Sequence, residues 1–233
     1  MQRIAKVIAR SGLCSRRDAE KLILEGKVTV NEILITSPAI NVCDSDKIRI
    51  EGKDLPRSEK TKIWIFHKPK RTITSRVDKD GRQTIYDVLP KQYSSLITIG
   101  RLDFMTEGLL LLTNDGEFAR YMELPKNSIK RTYHVRIKGA LDKRFIEELS
   151  NGIRIDDAHY QPIQARVLQL QKNYTWVELI LSEGKNREIR NIFSFFNLEI
   201  LRLKRVGYGP FLLGKMAPAE IQEADPSLVV ISK

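Results

Sequence analysis

Residues 100–116 read GRLDFMTEGLLLLTNDG, an acid set between an Arg-Leu pair and a run of four leucines. A buried strand needs no carboxylate at its mouth. Asp103 therefore either caps a neighbouring helix or does chemistry. A lone ionised carboxylate is a competent nucleophile or base at a sugar carbon, and a guanidinium nearby keeps it ionised and oriented. Arg190, in a stretch of helical spacing, is a candidate for that guanidinium. Asp103 with Glu107 is a weaker pair for glycosyl chemistry, because such carboxylates usually come from separate strands.

The whole chain narrows the substrate. Its 233 residues carry a formal net charge of +11, with 40 Lys and Arg against 29 acids, so a polyanion is the expected partner. If that polyanion is a nucleic acid, the base acted on must leave its stack. An aromatic ring then holds it by stacking, and Tyr133 is the candidate. Other chemistries find little support. Cys14 and Cys43 lack CxxC or Cys/His spacing, so no metal site is expected. His67, His134 and His159 pair with no serine or cysteine in a recognisable elbow and read as surface or core residues. There is no Gly-rich dinucleotide or Walker loop. Neither a signal-type apolar run nor a membrane-spanning stretch is seen, and a cytoplasmic protein is expected.

The elements that must position Asp103 follow from periodicity. Leu109 to Leu112 reads as a buried strand closed by the turn signal Asn114-Asp115-Gly116. Asp115 is placed to cap a short helix over Phe118 to Met122 that Pro125 stops. Tyr133, Val135 and Ile137 alternate with polar residues, the period of a half-buried strand. Phe145, Ile146 and Leu149 mark a helix ending at Gly152; strands near 165–170 and 175–181 follow. A helix from about Asn186 then turns Ile189, Ile192, Phe193 and Phe196 inward. Strand pairs separated by helices predict an α+β domain, from residue 63 to 233, with a mixed, mainly antiparallel sheet flanked by helices.

The first 52 residues form a separate unit. Ile4, Val7 and Ile8 recur at helical spacing, and Ser15 caps a second helix with Asp18 reaching back. Short strands follow at 28–30 and 33–35 around Asn31-Glu32, and again at 48–50. Residues 1–30 hold seven Lys/Arg against three acids, net +4, whereas residues 31–60 hold five against six, net −1. The excess gathers on the helical pair, where Arg10, Arg16, Arg17 and Lys21 are placed to track a phosphate backbone. Residues 53–62, polar and containing Pro56, read as a linker.

Two resemblances carry these readings further. IAKVIARSGLCSRRDAEKLILEGKVTVNE resembles the small RNA-binding domain first known from ribosomal protein S-four. GRLDFMTEG, with Gly100, Arg101, Leu102, Asp103, Thr106 and Gly108 in register, resembles the signature of pseudouridine synthases, in the branch typified by the RsuA and RluB enzymes of bacterial ribosomal RNA. HKPKRTITS, KRTYHV, EGKNREIRNIF and LKRVGYGPF resemble the family's supporting motifs, in order, although Lys70 stands where Gly is common.

The resemblance implies isomerisation of a ribosomal RNA uridine to pseudouridine without a cofactor. Asp103 is implied to initiate cleavage of the C1′–N1 bond, Tyr133 to stack on the base, and Arg190 to pair with Asp103. Ile189 and Arg101 are implied to line the base pocket, and Lys68, Lys185, Asn186 and Arg187 to contact RNA. Asn186-Arg187-Glu188 resembles the large-subunit enzymes and favours a hairpin-loop uridine of large-subunit RNA. A small-subunit target, or a non-catalytic ribosome-assembly factor retaining the fold, is the alternative. The expected partner is ribosomal RNA or an assembly intermediate, met by a monomer.

Overall fold

The computed structural model describes residues 1–229, which divide into two compact units: residues 1–61 with 114–116, and the remainder. In the first, β1 (Gln2–Arg3) leads into α1 (Ile4–Arg10), and α2 (Arg16–Leu24) follows. Ser15 caps α2 as its sequence predicts: Oγ accepts from Asp18 N at 3.2 Å and donates to the Asp18 carboxylate at 2.6 Å. Strands β2 (Val28–Val30) and β3 (Ile33–Ile35) make a hairpin around Asn31-Glu32. Both turn residues have positive φ, 51° and 68°, as a two-residue loop of matching twist requires.

Three more strands complete the unit. β4 (Asn41–Val42) pairs with β1, while β5 (Ile48–Ile50) pairs with β2. β6 (Lys53–Asp54) corrects the reading of a linker from residue 53: Lys53 pairs with Ile50 and Asp54 with Arg49. The core is built from Ile4, Ile8, Ala19, Ile23 and Val28. Arg10, Arg16, Arg17 and Lys21 remain on the exposed surface of the two helices.

In the second unit, β7 (Ile63–Lys68) is followed by α3 (Ile85–Val88), β8 (Ile97–Ile99), β9 (Glu107–Thr113) and α4 (Gly116–Glu123). β10 (Arg131–Lys138) and α5 (Lys143–Asn151) precede a small hairpin of β11 (Ile153–Ile155) and β12 (Ala158–Tyr160). β13 (Gln164–Leu170), β14 (Tyr174–Leu181), α6 (Glu188–Phe195), β15 (Ile200–Tyr208), β16 (Phe211–Leu212) and β17 (Ile221–Ala224) follow.

One nine-stranded sheet runs in the order β13-β14-β10-β15-β9-β7-β17, with β16 beside β15 and β8 beside β9. All its pairings are antiparallel except β15 with β9. Val135, Val177, Leu179 and Leu203 are sealed beneath Phe145 of α5 and Ile192 and Phe193 of α6. Phe66, Leu110 and Leu112 pack with Leu102, Ile85 and Leu89 in a neighbouring cluster. Tyr133 touches both clusters, which places its ring at their seam. Among the described residues no helix is long and apolar enough to cross a membrane, and no cluster of His, Cys, Asp or Glu is placed to hold a metal.

Candidate active site

Asp103 sits in the loop between β8 and β9, and backbone contacts on several sides hold that loop still. Thr74 Oγ donates to Leu102 O at 2.9 Å and lies 3.3 Å from Leu102 N, which donates to it. Leu102 is buried, anchoring the residue before the acid. Arg71 N donates to Phe104 O at 2.7 Å, and Thr106 N donates to Asp103 O at 3.0 Å. The last contact decides the capping question. It ends on the carbonyl, and among the described residues no backbone N–H or hydroxyl donates to the Asp103 carboxylate. Its side chain stays 36% exposed and meets Arg190, with Nε 3.5 Å from Oδ2.

Arg190 is aimed from α6. Its Nη2 donates to Thr106 Oγ at 3.1 Å, so the guanidinium bridges the acid and the start of β9. Burial pushes its pKa down, and the Asp103 charge opposes that shift. A guanidinium stays charged under such a shift because its starting value is so high. Asp103 therefore faces a permanent positive charge.

Lys68 requires a correction. The resemblance implies an RNA contact for it, yet it is wholly buried. Lys68 lies on the same face of β7 as Phe66, two residues earlier, and that face is core. Its Nζ donates to the carbonyls of Thr106 at 2.9 Å, Pro69 at 3.0 Å and Asp103 at 3.2 Å. The ammonium ties both ends of the acid-bearing turn to β7. Burial pushes its pKa down to about 8, with Asp103 opposing.

A cleft of about 780 Å³ opens over this loop. Arg101, Asp103 and Tyr133 line it with Ile189 and Arg190, and Lys185, Asn186 and Arg187 stand along its wall. The structure thus brings together every expected residue of this unit except Lys68. Seven basic side chains against four acids line the cleft, which favours an anionic occupant. Lys185 is partly spoken for: its ammonium pairs with Glu183 at 2.8 Å and donates to His159 O.

Sequence reasoning missed Thr74 and Thr106 as braces and a carboxyl pair at the cleft wall. Glu188 is buried, and its Oε2 accepts from Lys185 N at 3.0 Å, a three-residue spacing visible in the sequence. Glu188 Oε1, buried without a well-aligned hydrogen-bond partner, lies beside the Glu183 carboxyl. Glu183 in turn accepts from Gln161 N at 2.8 Å and from Lys185 Nζ at 3.1 Å. Burial first, and then the charge of Glu183, push the Glu188 pKa up to about 7 against the opposing Lys185 N–H. Glu183 is held below the usual range: burial works against this, but the Gln161 and Lys185 donors outweigh it.

This pair has a measurable consequence. Because the folded-state pKa of Glu188 is raised, its protonated form stabilises the fold at low pH. That stability is lost as pH rises from the usual carboxylate value through about 7. The slope is at most ~1.4 kcal/mol per pH unit. Glu188→Gln keeps an acceptor for Lys185 N and cannot ionise. Its melting temperature relative to the parent is expected to climb across this window and level off above it. Parallel pH profiles for the two proteins would refute the buried-acid assignment.

Comparison with known proteins shows the family. The sequence pattern of the RNA pseudouridylate synthase family matches residues 62–195, and that of the S4 domain matches residues 2–48. An uncharacterized RNA pseudouridine synthase of Rickettsia felis is 44% identical, over 98% of this chain and 99% of that protein. The ribosomal large subunit pseudouridine synthase B of Bacillus subtilis is 37% identical, over 97% of this chain and 93% of that protein. A crystal structure of a pseudouridylate synthase superposes with a TM-score of 0.69 at 25% identity, covering 98% of this chain and 100% of that one. The chain belongs to the RNA pseudouridylate synthase family. It is an RNA-modifying isomerase with an S4 domain at its N-terminal end.

Proposed function

We propose that the chain isomerises one uridine in a hairpin loop of large-subunit ribosomal RNA, with Asp103 as the catalytic carboxylate. One observation carries the assignment: of the four cleft acids, Asp103 alone has a carboxylate that meets no hydrogen-bond donor other than the Arg190 guanidinium. Glu123 accepts from Gly100 N, Glu183 from Gln161 N, and Glu188 from Lys185 N. Those three are structural; Asp103 is poised.

The reaction then runs as follows. The carboxylate either attacks C1′ or removes the proton at C2′, and the C1′–N1 bonding pair leaves with the uracil. The uracil turns within the cleft and C5 bonds to C1′, displacing the carboxylate on the first route or, on the second, as the carboxyl returns the proton to C2′. The C5 proton is then lost as N1 gains one. Atoms and electrons balance within the substrate, so no redox partner is needed. Tyr133, at the seam of two clusters, stacks on the extruded base and stands near the proton to be lost. Ile189 supplies an apolar floor. Arg101 fills the gap in the stack, while Asn186 and Arg187 grip neighbouring phosphates.

Support for this target comes from Asn186-Arg187-Glu188 and from the likeness to the Bacillus subtilis protein named for the large subunit. Arg10, Arg16, Arg17 and Lys21 add phosphate contacts from the first unit. The working form in this reading is a monomer acting on ribosomal RNA in the cytoplasm. Pseudouridine mapping of both ribosomal RNAs, from cells with and without the protein, tests the target. One large-subunit hairpin site should disappear. Loss of a small-subunit site would move the target, and no loss at all would remove ribosomal RNA as the substrate.

A further inference from the structure

The catalytic cleft uses one face of the large sheet, and the opposite face is chemically distinctive. Val135, Val177 and Leu203 point toward α5 and α6. Their neighbours along each strand point the other way. Register sets these into two cross-strand rows. One runs Arg166, Glu178, His134, Lys204; the other runs Gln169, Trp176, Arg136, Arg202. All eight are at least partly exposed.

The charges in these rows are unevenly matched. Glu178 takes Arg166 at 2.9 Å and His134 at 3.4 Å. Arg202 reaches Glu107, at the edge of the face, at 2.6 Å. Arg136 and Lys204 have no carboxylate within ion-pair distance among the described residues. The Arg136 guanidinium carbon sits 3.9 Å from the centroid of the Tyr174 ring, and its buried Nε finds no hydrogen-bond partner. Beside it, Trp176, His134, Leu168 and Gln169 border a shallow recess.

We propose that this face is a second RNA-binding surface, on which an unpaired segment stacks a base against Trp176 and lays its phosphates on Arg136 and Lys204. A flat indole beside a pre-oriented guanidinium on an open sheet suits bases and phosphates together. An acidic protein would satisfy the cations, but the centre of a protein interface is usually poorer in charge than this. The inference rests on the reading of the substrate as a large folded RNA, one part of which enters the cleft while another reaches the far side of the sheet.

Fluorescence separates this inference from the catalytic one. The chain has two tryptophans, Trp64 and Trp176, so Trp64→Phe leaves Trp176 as sole reporter. Oligouridylate is expected to quench that emission. Arg136→Gln with Lys204→Gln should weaken the quenching about tenfold and lower its log–log salt slope by ~1.4, two contacts at ~0.7 each. The same double variant should process a minimal target hairpin at the parent rate, because neither residue lines the cleft. Its turnover on long ribosomal RNA should fall at low enzyme concentration. A Trp176 signal unmoved by saturating RNA overturns the proposal, whatever the hairpin assay gives. Quenching by polyglutamate but not by RNA assigns the face to an acidic protein instead. Failure of turnover alone would strike the catalytic reading and leave the binding result standing.

Discussion

Asp103→Asn is expected to reduce pseudouridine formation to background while RNA stays bound within several-fold. The substitution keeps the size of the side chain and its place in the loop. The loop contacts survive, because Thr106 N, Lys68 Nζ, Arg71 N and Thr74 all bind backbone atoms. Arg190 loses its charge partner but keeps Thr106 Oγ as an acceptor. What disappears is the negative charge. An amide neither attacks C1′ nor accepts a sugar proton at neutral pH. Binding persists because Lys and Arg contacts to phosphate supply most of the affinity. Had Asp103 been a helix cap, asparagine would have served nearly as well. Release of label from C5-tritiated uridine, under single-turnover conditions with excess enzyme, measures the outcome. A rate near the parent's, in protein free of the host's own synthases, would sink the assignment of Asp103 as the catalytic carboxylate.

How much of this site was legible in the chain depended on how local each signal was. The Asp103 loop could be read because Gly, Arg, Leu, Asp, Thr and Gly fall within nine residues. Tyr133 and Ile189 sit on elements whose periodicity fixes their facing, and both reach the cleft. The RNA contact implied for Lys68 failed because a motif match does not say which way a side chain faces, and the β7 alternation placed it with Phe66. Its three carbonyl partners come from two segments more than thirty residues apart. The Glu183–Glu188 pair escaped because desolvation, which sets its chemistry, depends on what packs above it. The open face of the sheet was equally hidden: alternation shows two faces on a strand, but not which of them a helix will cover. β15 was visible only as the motif LKRVGYGPF, and nothing local says that it runs parallel to a strand whose paired residues lie 97 positions earlier.

That parallel contact makes Gly108→Ala the most damaging single-methyl change expected here. Lys204 pairs with Glu107, and Arg205 with Gly108, at the one parallel join of the sheet among the described residues. A Cβ on Gly108 would stand 2.2 Å from Arg205 O and 2.8 Å from Arg205 N, both backbone atoms that no rotamer can move aside. Its φ of +108° adds a second penalty for any residue with a side chain. Overpacking commonly costs ~1–3 kcal/mol, and left-handed backbone adds ~1–2 kcal/mol. Together they predict a loss of roughly 2–5 kcal/mol, if the strands stay paired at all.

The damage should reach the chemistry as well. Thr106, the acceptor for Arg190 and a tether of Lys68, lies two residues upstream, and Arg205 Nε donates to Leu109 O at 2.7 Å just downstream. Moving β9 off β15 would shift the acid relative to its guanidinium. Gly214→Ala is the control, since Gly214 also has positive φ but its Cβ would meet open space. It should lose only ~1–2 kcal/mol and keep its turnover. Thermal melts and single-turnover rates on both variants separate backbone strain from collision. The collision argument is wrong if Gly108→Ala melts and turns over like Gly214→Ala.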